Sequence, residues 1–233
     1  MTEQTAIVTG GSRGIGFAIV EQFAREGIDV VISARTRSDL EDARSELSDE
    51  SGSVHPVPGD VSSLEDCRSV VEETLQKFGA PDILVNNAGI GTFKPLRDLD
   101  PDEWNRTLDV NLTGAFYMTR EALPHLRDSE GLSHVFFMSS LAGKNTFEGA
   151  SAYCASKFGL NALAECLMQE ERHDDIKVTS IAPGSVHTDF SSEDKSEWAL
   201  HPDDIAETVT RLLDERKNAH SSYVEMRPFQ PPE

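Results

Sequence analysis

The 233-residue chain carries 41 acidic residues against 21 basic ones, a formal net charge of −20, and is 38% hydrophobic. That charge opposes nucleic acid and anionic membrane surfaces as partners, since both are polyanions, and no apolar run approaches the length that spans a bilayer. Three cysteines, Cys67, Cys154 and Cys166, are odd in number and fall within predicted helices, so they read as reduced intracellular thiols rather than a disulfide framework.

The first residues, MTEQTAIVTG, enter a strand almost at once and lack the basic region and long apolar stretch of a secretory signal, so a cytoplasmic location is expected. The strand AIVTG runs into the turn TGGSRGIG, residues 9–16, and then into a helix. Gly10, Gly14 and Gly16 leave room for close backbone approach, and the helix start offers free N–H groups and partial positive charge to a pyrophosphate. Ser12, Arg13 and Ile15 complete that turn. The spacing is G-x-x-x-G-x-G rather than the commoner G-x-G-x-x-G, and a purely structural turn is the alternative.

The next strand, DVVISA, ends in SARTR, with no acid until Asp39. A carboxylate there would accept from an adenosine ribose and disfavour a 2′-phosphate. Arg35 and Arg37 instead suit a phosphate dianion, with Arg13 able to approach the same region, so NADP(H) is expected over NAD(H). Solvated loop arginines are the alternative, and NAD(H) stays possible.

A charged helix through Leu47 follows, then the strand SVHPVPGDV, the helix LEDCRSVVEETLQKFG and the strand DILVNNAG. DEWNRTLDVNLTGAFYMTREALPHL reads as one helix whose packing stripe is Trp104, Leu108, Leu112, Ala115, Thr119, Ala122 and Leu126. The remaining segments are HVFFMSS, the helix SAYCASKFGLNALAECLMQEE, KVTSIAPG, the helix DDIAETVTRLLDE and SYVEMR. Short apolar strands alternating with helices predict βαβ units and a mostly parallel sheet covered on both faces. The expected fold is α/β, a Rossmann-like doubly wound sheet of about seven strands forming one domain over residues 1–233, with ligands beyond the carboxyl ends of the strands.

Tyr153 and Lys157 lie four apart on one helix and therefore share a face. Bringing a phenol from near pKa 10 to neutrality takes roughly 4 kcal/mol of preferential stabilisation of the phenolate. A neighbouring ammonium and the helix N-terminus each supply part of it. A tuned tyrosine then gives a proton to a carbonyl oxygen, or takes one from an alcohol. Cys154 points away from Tyr153 and reads as a packed thiol. The seven histidines are scattered without i, i+4 spacing, so no metal site is expected.

With these motifs in order, nearly the whole chain resembles the short-chain dehydrogenase/reductase family. TGGSRGIG is similar to the family's cofactor turn, NNAG at 86–89 to its central-strand motif, and YCASK to its Tyr-x-x-x-Lys. The resemblance implies that Tyr153 is the general acid/base and that Lys157 lowers its pKa and binds the nicotinamide ribose. It implies that Ser140 stabilises the substrate oxygen and that Asn111, in DVNLTG, holds a water in a proton relay. Asp60 and Val61 match the pair that contacts adenine. Asn87, Ala88 and Gly89 line the cofactor, and Pro183, Gly184, Val186 and Thr188 of PGSVHT bind its nicotinamide end. A homo-oligomer, tetramer or dimer, is expected on the same ground.

The expected activity is hydride transfer between NADP(H) and a carbonyl or secondary-alcohol substrate, in the direction of ketone reduction, with 3-oxoacyl groups compatible. A non-catalytic nicotinamide-binding sensor or scaffold is the alternative. The segment DFSSEDKSEWALHPDD is short and polar where the family places a substrate lid, which suggests an open pocket. Phe190 and Trp198 are its expected apolar walls, with Phe93, Phe147 and Glu148 nearby. Acids spread evenly over surface-type positions, with seven lysines in all, suit a protein adapted to concentrated salt; an ordinary acidic enzyme is the alternative.

Overall fold

The computed structural model describes residues 4–129, 131–188, 190 and 198–230. Its seven strands are β1 (Thr5–Thr9), β2 (Asp29–Ala34), β3 (Val54–Pro58), β4 (Ile83–Asn86), β5 (Ser133–Met138), β6 (Ile176–Pro183) and β7 (Tyr223–Met226). They form one sheet in the order β3-β2-β1-β4-β5-β6-β7, every pair parallel. The central strands are buried on both faces, which explains their continuous apolar sequences.

Period-two alternation divides the core into two layers. Ala6, Val8, Val30, Ile32, Phe136 and Ile181 face the layer built from α1 (Gly14–Arg25), α2 (Arg37–Glu46) and α7 (Pro202–Leu213). Ile7, Val31, Leu84, Val135 and Phe137 face α3 (Leu64–Lys77), α5 (Gly114–Arg127) and α6 (Ser151–Glu171). The chain reverses its winding at β1, which pairs with β2 on one side and β4 on the other. A crevice opens beyond the carboxyl ends of the strands at such a switch point. No helix among the described residues is long and apolar enough to cross a membrane.

One expectation needs correction. The segment read as a single helix is interrupted: α4 (Pro101–Leu108) passes into a five-residue π-helical turn, Asp109–Thr113, before α5 begins. The wider turn is held by Asn111, which the fold buries and uses as a fastener. Ile90 N–H donates to Asn111 Oδ1 at 2.8 Å, while Asn111 Nδ2 donates to Ile90 O at 2.9 Å and to Ser156 Oγ at 3.0 Å. Such turns disturb a helix at one position and often re-aim a functional side chain. Of the predicted stripe, Ala115, Thr119, Ala122 and Leu126 are buried, and Trp104, Leu108 and Leu112, ahead of α5, are only partly so.

Candidate active site

The cleft at the switch point encloses about 1080 Å³. Its floor is the glycine turn. Gly10 has φ +66, a conformation that disfavours a side chain. A Cβ on Gly16 would lie 2.2 Å from Gly10 O, so helix and turn pack backbone to backbone only because Gly16 has none. The start of α1 has no side-chain cap and no acid in its first turn. Its free N–H groups are therefore left for an anion, and Ser12, Arg13, Gly14 and Ile15 line the cleft there. Gly16 itself does not line it.

The loop after β4 locks this turn in place. Asn87 N and Ala88 N both donate to Thr9 Oγ1, at 3.0 and 3.1 Å. Asn87 Nδ2 reaches Thr9 O at 2.9 Å and Gly10 O at 3.2 Å. Asn87, Ala88 and Gly89 line the cleft. Thr9 is a residue that sequence reasoning passed over; its place at the end of a strand before a glycine turn is the only signal it gives.

Beyond β2, Arg35 lines the cleft together with Arg13 and with Asp39. Two guanidinium groups against one carboxylate leave a net positive end. Arg37 does not join them: it opens α2, mostly exposed, and lies 4.0 Å from Glu41. Asp60 and Val61 border the far side. Asp60 accepts from Ser62 N at 3.0 Å, Ser62 Oγ at 2.7 Å and Arg106 at 2.7 Å. Burial raises the Asp60 pKa, but the Arg106 and Ser62 hydrogen bonds outweigh it and hold the carboxyl below the usual range. Arg106, which also donates to Ser62 Oγ at 2.6 Å, was missed from sequence, where it is one more charged residue on a helix surface.

At the other end, β5 delivers Ser140 and α6 delivers Tyr153 and Lys157 to one wall. The Ser140 hydroxyl lines the cleft beside the Tyr153 phenol and accepts from Ala142 N at 3.1 Å. Lys157 Nζ donates to Met138 O at 2.7 Å and lies 5.7 Å from the centre of the Tyr153 ring. Burial pulls the Lys157 pKa down to about 8. At Tyr153 burial raises the phenol pKa and the neighbouring Ser140 hydroxyl only partly offsets it. The expected lowering of the phenol is thus reversed in the free protein, because desolvation of a buried phenolate exceeds what the neighbouring groups return. Asn111 does not line the cleft. It sits behind it, linked through Ser156, whose Oγ donates to Tyr153 O at 2.7 Å.

Pro183, Gly184, Val186 and Thr188 border the same end. Val186 forms a parallel bridge with Leu200, and Gly184 N donates to Met226 O at 2.7 Å, so the segment leaving β6 is tied down. Thr188 faces the glycine turn: a Cβ on Gly14 would lie 3.3 Å from its methyl carbon. Phe93, Phe147 and Phe190 line the cleft beside Tyr153, whereas Trp198 and Glu148 do not. Half of the predicted lid, residues 189 and 191–197, lies outside the described residues.

An uncapped helix start against a glycine turn, the arginines Arg13 and Arg35, and a serine–tyrosine–lysine wall meet in this one cleft. Residues 4–198 match the short chain dehydrogenase family, and the chain belongs to it; its fold is that family's Rossmann-like sheet, and it is an oxidoreductase of that class. Among characterised relatives, it is 34% identical over 215 residues to a sepiapterin reductase of Chlorobaculum tepidum, covering 88% of each chain. An alcohol dehydrogenase from the archaeon Thermococcus sibiricus, solved with 5-hydroxy-NADP, superposes with a TM-score of 0.91 at 30% identity over 99% of both chains. A metagenomic short-chain oxidoreductase in complex with NADP gives 0.86 at 34% identity over 98% of both.

Proposed function

We propose that the protein is an NADP(H)-dependent carbonyl reductase, with cofactor and substrate held in one domain. The observation that carries this reading is the meeting of the Ser140 hydroxyl, the Tyr153 phenol and the buried Lys157 ammonium at the end of the cleft that the glycine turn opens. The nicotinamide supplies the hydride. Tyr153, its pKa raised, holds its proton at neutral pH and donates it to the carbonyl oxygen, while Ser140 stabilises the charge developing there.

Lys157 positions the ribose and replenishes the proton. Asn111 Oδ1 and Lys157 Nζ would lie 3.4 and 3.7 Å from a Cβ on Gly89, so both border the same small space beside Gly89, to which the relay water is assigned. The pyrophosphate is assigned to the turn from Gly10 to Gly16, adenine to Asp60 and Val61, and the nicotinamide end to Pro183, Gly184, Val186 and Thr188. Asn87, Ala88 and Gly89 support the sugar between them.

Arg13 and Arg35 at the adenosine end support NADP(H), as do the NADP-type ligands of the two solved neighbours. Half-exposed Phe116 on α5 and Phe158 on α6 support a homo-oligomer, tetramer or dimer. The test is NADPH oxidation followed optically against ketones, aldehydes and 3-oxoacyl thioesters. Turnover of one class, with NADH at least about tenfold poorer in kcat/KM, is expected. Binding of NADPH without turnover of any carbonyl contradicts the reading.

A further inference from the structure

Three large apolar side chains stand half-exposed at one end of the cleft: Phe93 at 46%, Phe147 at 54% and Phe190 at 44%. They come from three separate segments and converge on the catalytic tyrosine. Phe93 lies edge-on to Tyr153 with ring centres 5.5 Å apart, Phe190 is tilted against it at 5.7 Å, and Phe147 stacks on Phe93 at 6.1 Å. Exposed phenylalanines gathered in a concave site mark a surface awaiting an apolar ligand.

The arrangement is built rather than incidental. Lys94 N donates to Gly149 O at 2.7 Å, which clips the Phe93 loop to the Phe147 loop. Gly91 makes room for the rings: a Cβ there would meet Phe93 at 2.7 Å and Phe190 at 3.0 Å. Among the described residues, the cations on the bordering segments are already engaged. Lys94 pairs with Glu103 at 2.5 Å, Arg97 with Asp98 at 3.5 Å, and Lys144 and Arg227 share Glu225 at 2.5 and 3.0 Å. Among the described residues this end therefore offers rings rather than unpaired cations, which is poor complementarity for a phosphate-bearing acyl carrier.

We propose that the substrate is a small, neutral aryl ketone whose aromatic ring lies against Phe93, Phe147 and Phe190 while its carbonyl oxygen meets Tyr153 and Ser140. This rests on the carbonyl-reductase reading and narrows it. Aryl ketone, NADPH and a proton give the aryl carbinol and NADP⁺: a C–H bond forms at the carbonyl carbon, and the C=O π pair takes the proton from Tyr153. Aromatic pairs gain beyond the area they bury, by roughly two- to tenfold in affinity per well-placed contact. A saturated ring of the same size receives the burial without that gain.

Acetophenone and cyclohexyl methyl ketone share one heavy-atom skeleton and differ in aromaticity. Titrated calorimetrically into protein saturated with NADP⁺, where no reduction can occur, acetophenone is expected to bind about tenfold tighter. In Phe147→Leu and in Phe93→Leu the preference should fall to about twofold, with NADP⁺ affinity kept as the control for folding. The aryl-to-alicyclic ratio of kcat/KM with NADPH should fall in parallel. Equal binding of the two ketones, or a preference that survives both leucine substitutions, overturns the proposal. If aryl ketones are neither bound nor reduced while another carbonyl class turns over, the substrate assignment fails and the reductase reading stands. If NADPH binds and no carbonyl is reduced, the reading beneath it fails as well.

Discussion

At Tyr153 burial raises the phenol pKa, and at Lys157 the same burial pulls the ammonium down to about 8. The first suits the proton donor proposed for Tyr153, and the second suits the proton carrier proposed for Lys157. The pair also makes stability depend on pH. An unfolded lysine titrates near 10.5, so between about pH 8 and 10 the unfolded chain binds more protons than the folded one, and stability rises with pH. Below pH 8 both states are protonated and the full burial penalty is present. For the cofactor-free protein, Lys157 contributes a gain of about 2 kcal/mol between pH 8 and 10. Part of it is taken back above about pH 9 by Cys67, whose buried thiol is pushed up to about 12 and keeps the proton that the unfolded thiol loses. Above about pH 10 the raised phenol reverses the slope, because the unfolded tyrosine then loses its proton first. Urea unfolding at pH 7.5 and 9.5 reads this directly. Lys157→Met should flatten the profile; an equal rise in that variant assigns the effect to other groups.

Among the elements, α4 and the π-helical turn after it carry more of the site than their sequence suggests. Arg106, on α4, reaches across to Asp60 and Ser62 in the loop after β3 and ties the two borders of that end of the cleft together. The pair is about a third exposed on each side, so its contribution is discounted for solvent screening to about 1 kcal/mol. Arg106→Ala should lower unfolding stability by about that amount and weaken cofactor binding severalfold. Arg97→Ala, whose pair with Asp98 is far more exposed, should do neither. Equal effects in the two variants would show that Arg106 acts as ordinary surface charge.

The seven strands, their order along the chain and the helices between them were legible, because strands buried on both faces leave unbroken apolar runs and helices leave a 3.6-residue stripe. The π-helical turn was not, since DVNLTG continues the helical stripe without a proline or a glycine pair to mark a break. Tyr153 and Lys157 announce themselves by spacing on one helix. Ser140 and Asn111 belong to other elements and were found only through resemblance, because the contact that joins them to Tyr153 is made by the fold. Arg106 left no pattern at all. Of the expected walls Phe190 lines the pocket and Trp198 does not; of the expected neighbours Phe93 and Phe147 line it and Glu148 does not.

For the molecule as a whole, 41 acids against 21 bases leave 20 carboxylates that no one-to-one pairing can neutralise. Their repulsion is long-ranged in dilute buffer and shrinks as the screening length falls from about 10 Å at 0.1 M salt to about 3 Å at 1 M. We propose adaptation to concentrated salt on this ground. Thermal unfolding should shift upward by at least about 10 °C between low and multimolar potassium chloride, a gain of more than about 2 kcal/mol for a chain of this size; a flat response would leave the acidic surface as ordinary composition.

In the proposed reaction Tyr153 gives its proton to the carbonyl oxygen, and Tyr153→Phe removes that proton while keeping the ring. The measurement is single-turnover NADPH oxidation with a reducible ketone, beside NADPH affinity by fluorescence titration. A loss of at least about a hundredfold in rate with affinity held within about threefold is predicted, since general acid catalysis contributes about 10² to 10⁴. A variant that binds NADPH and reduces the ketone at the wild-type rate would contradict it.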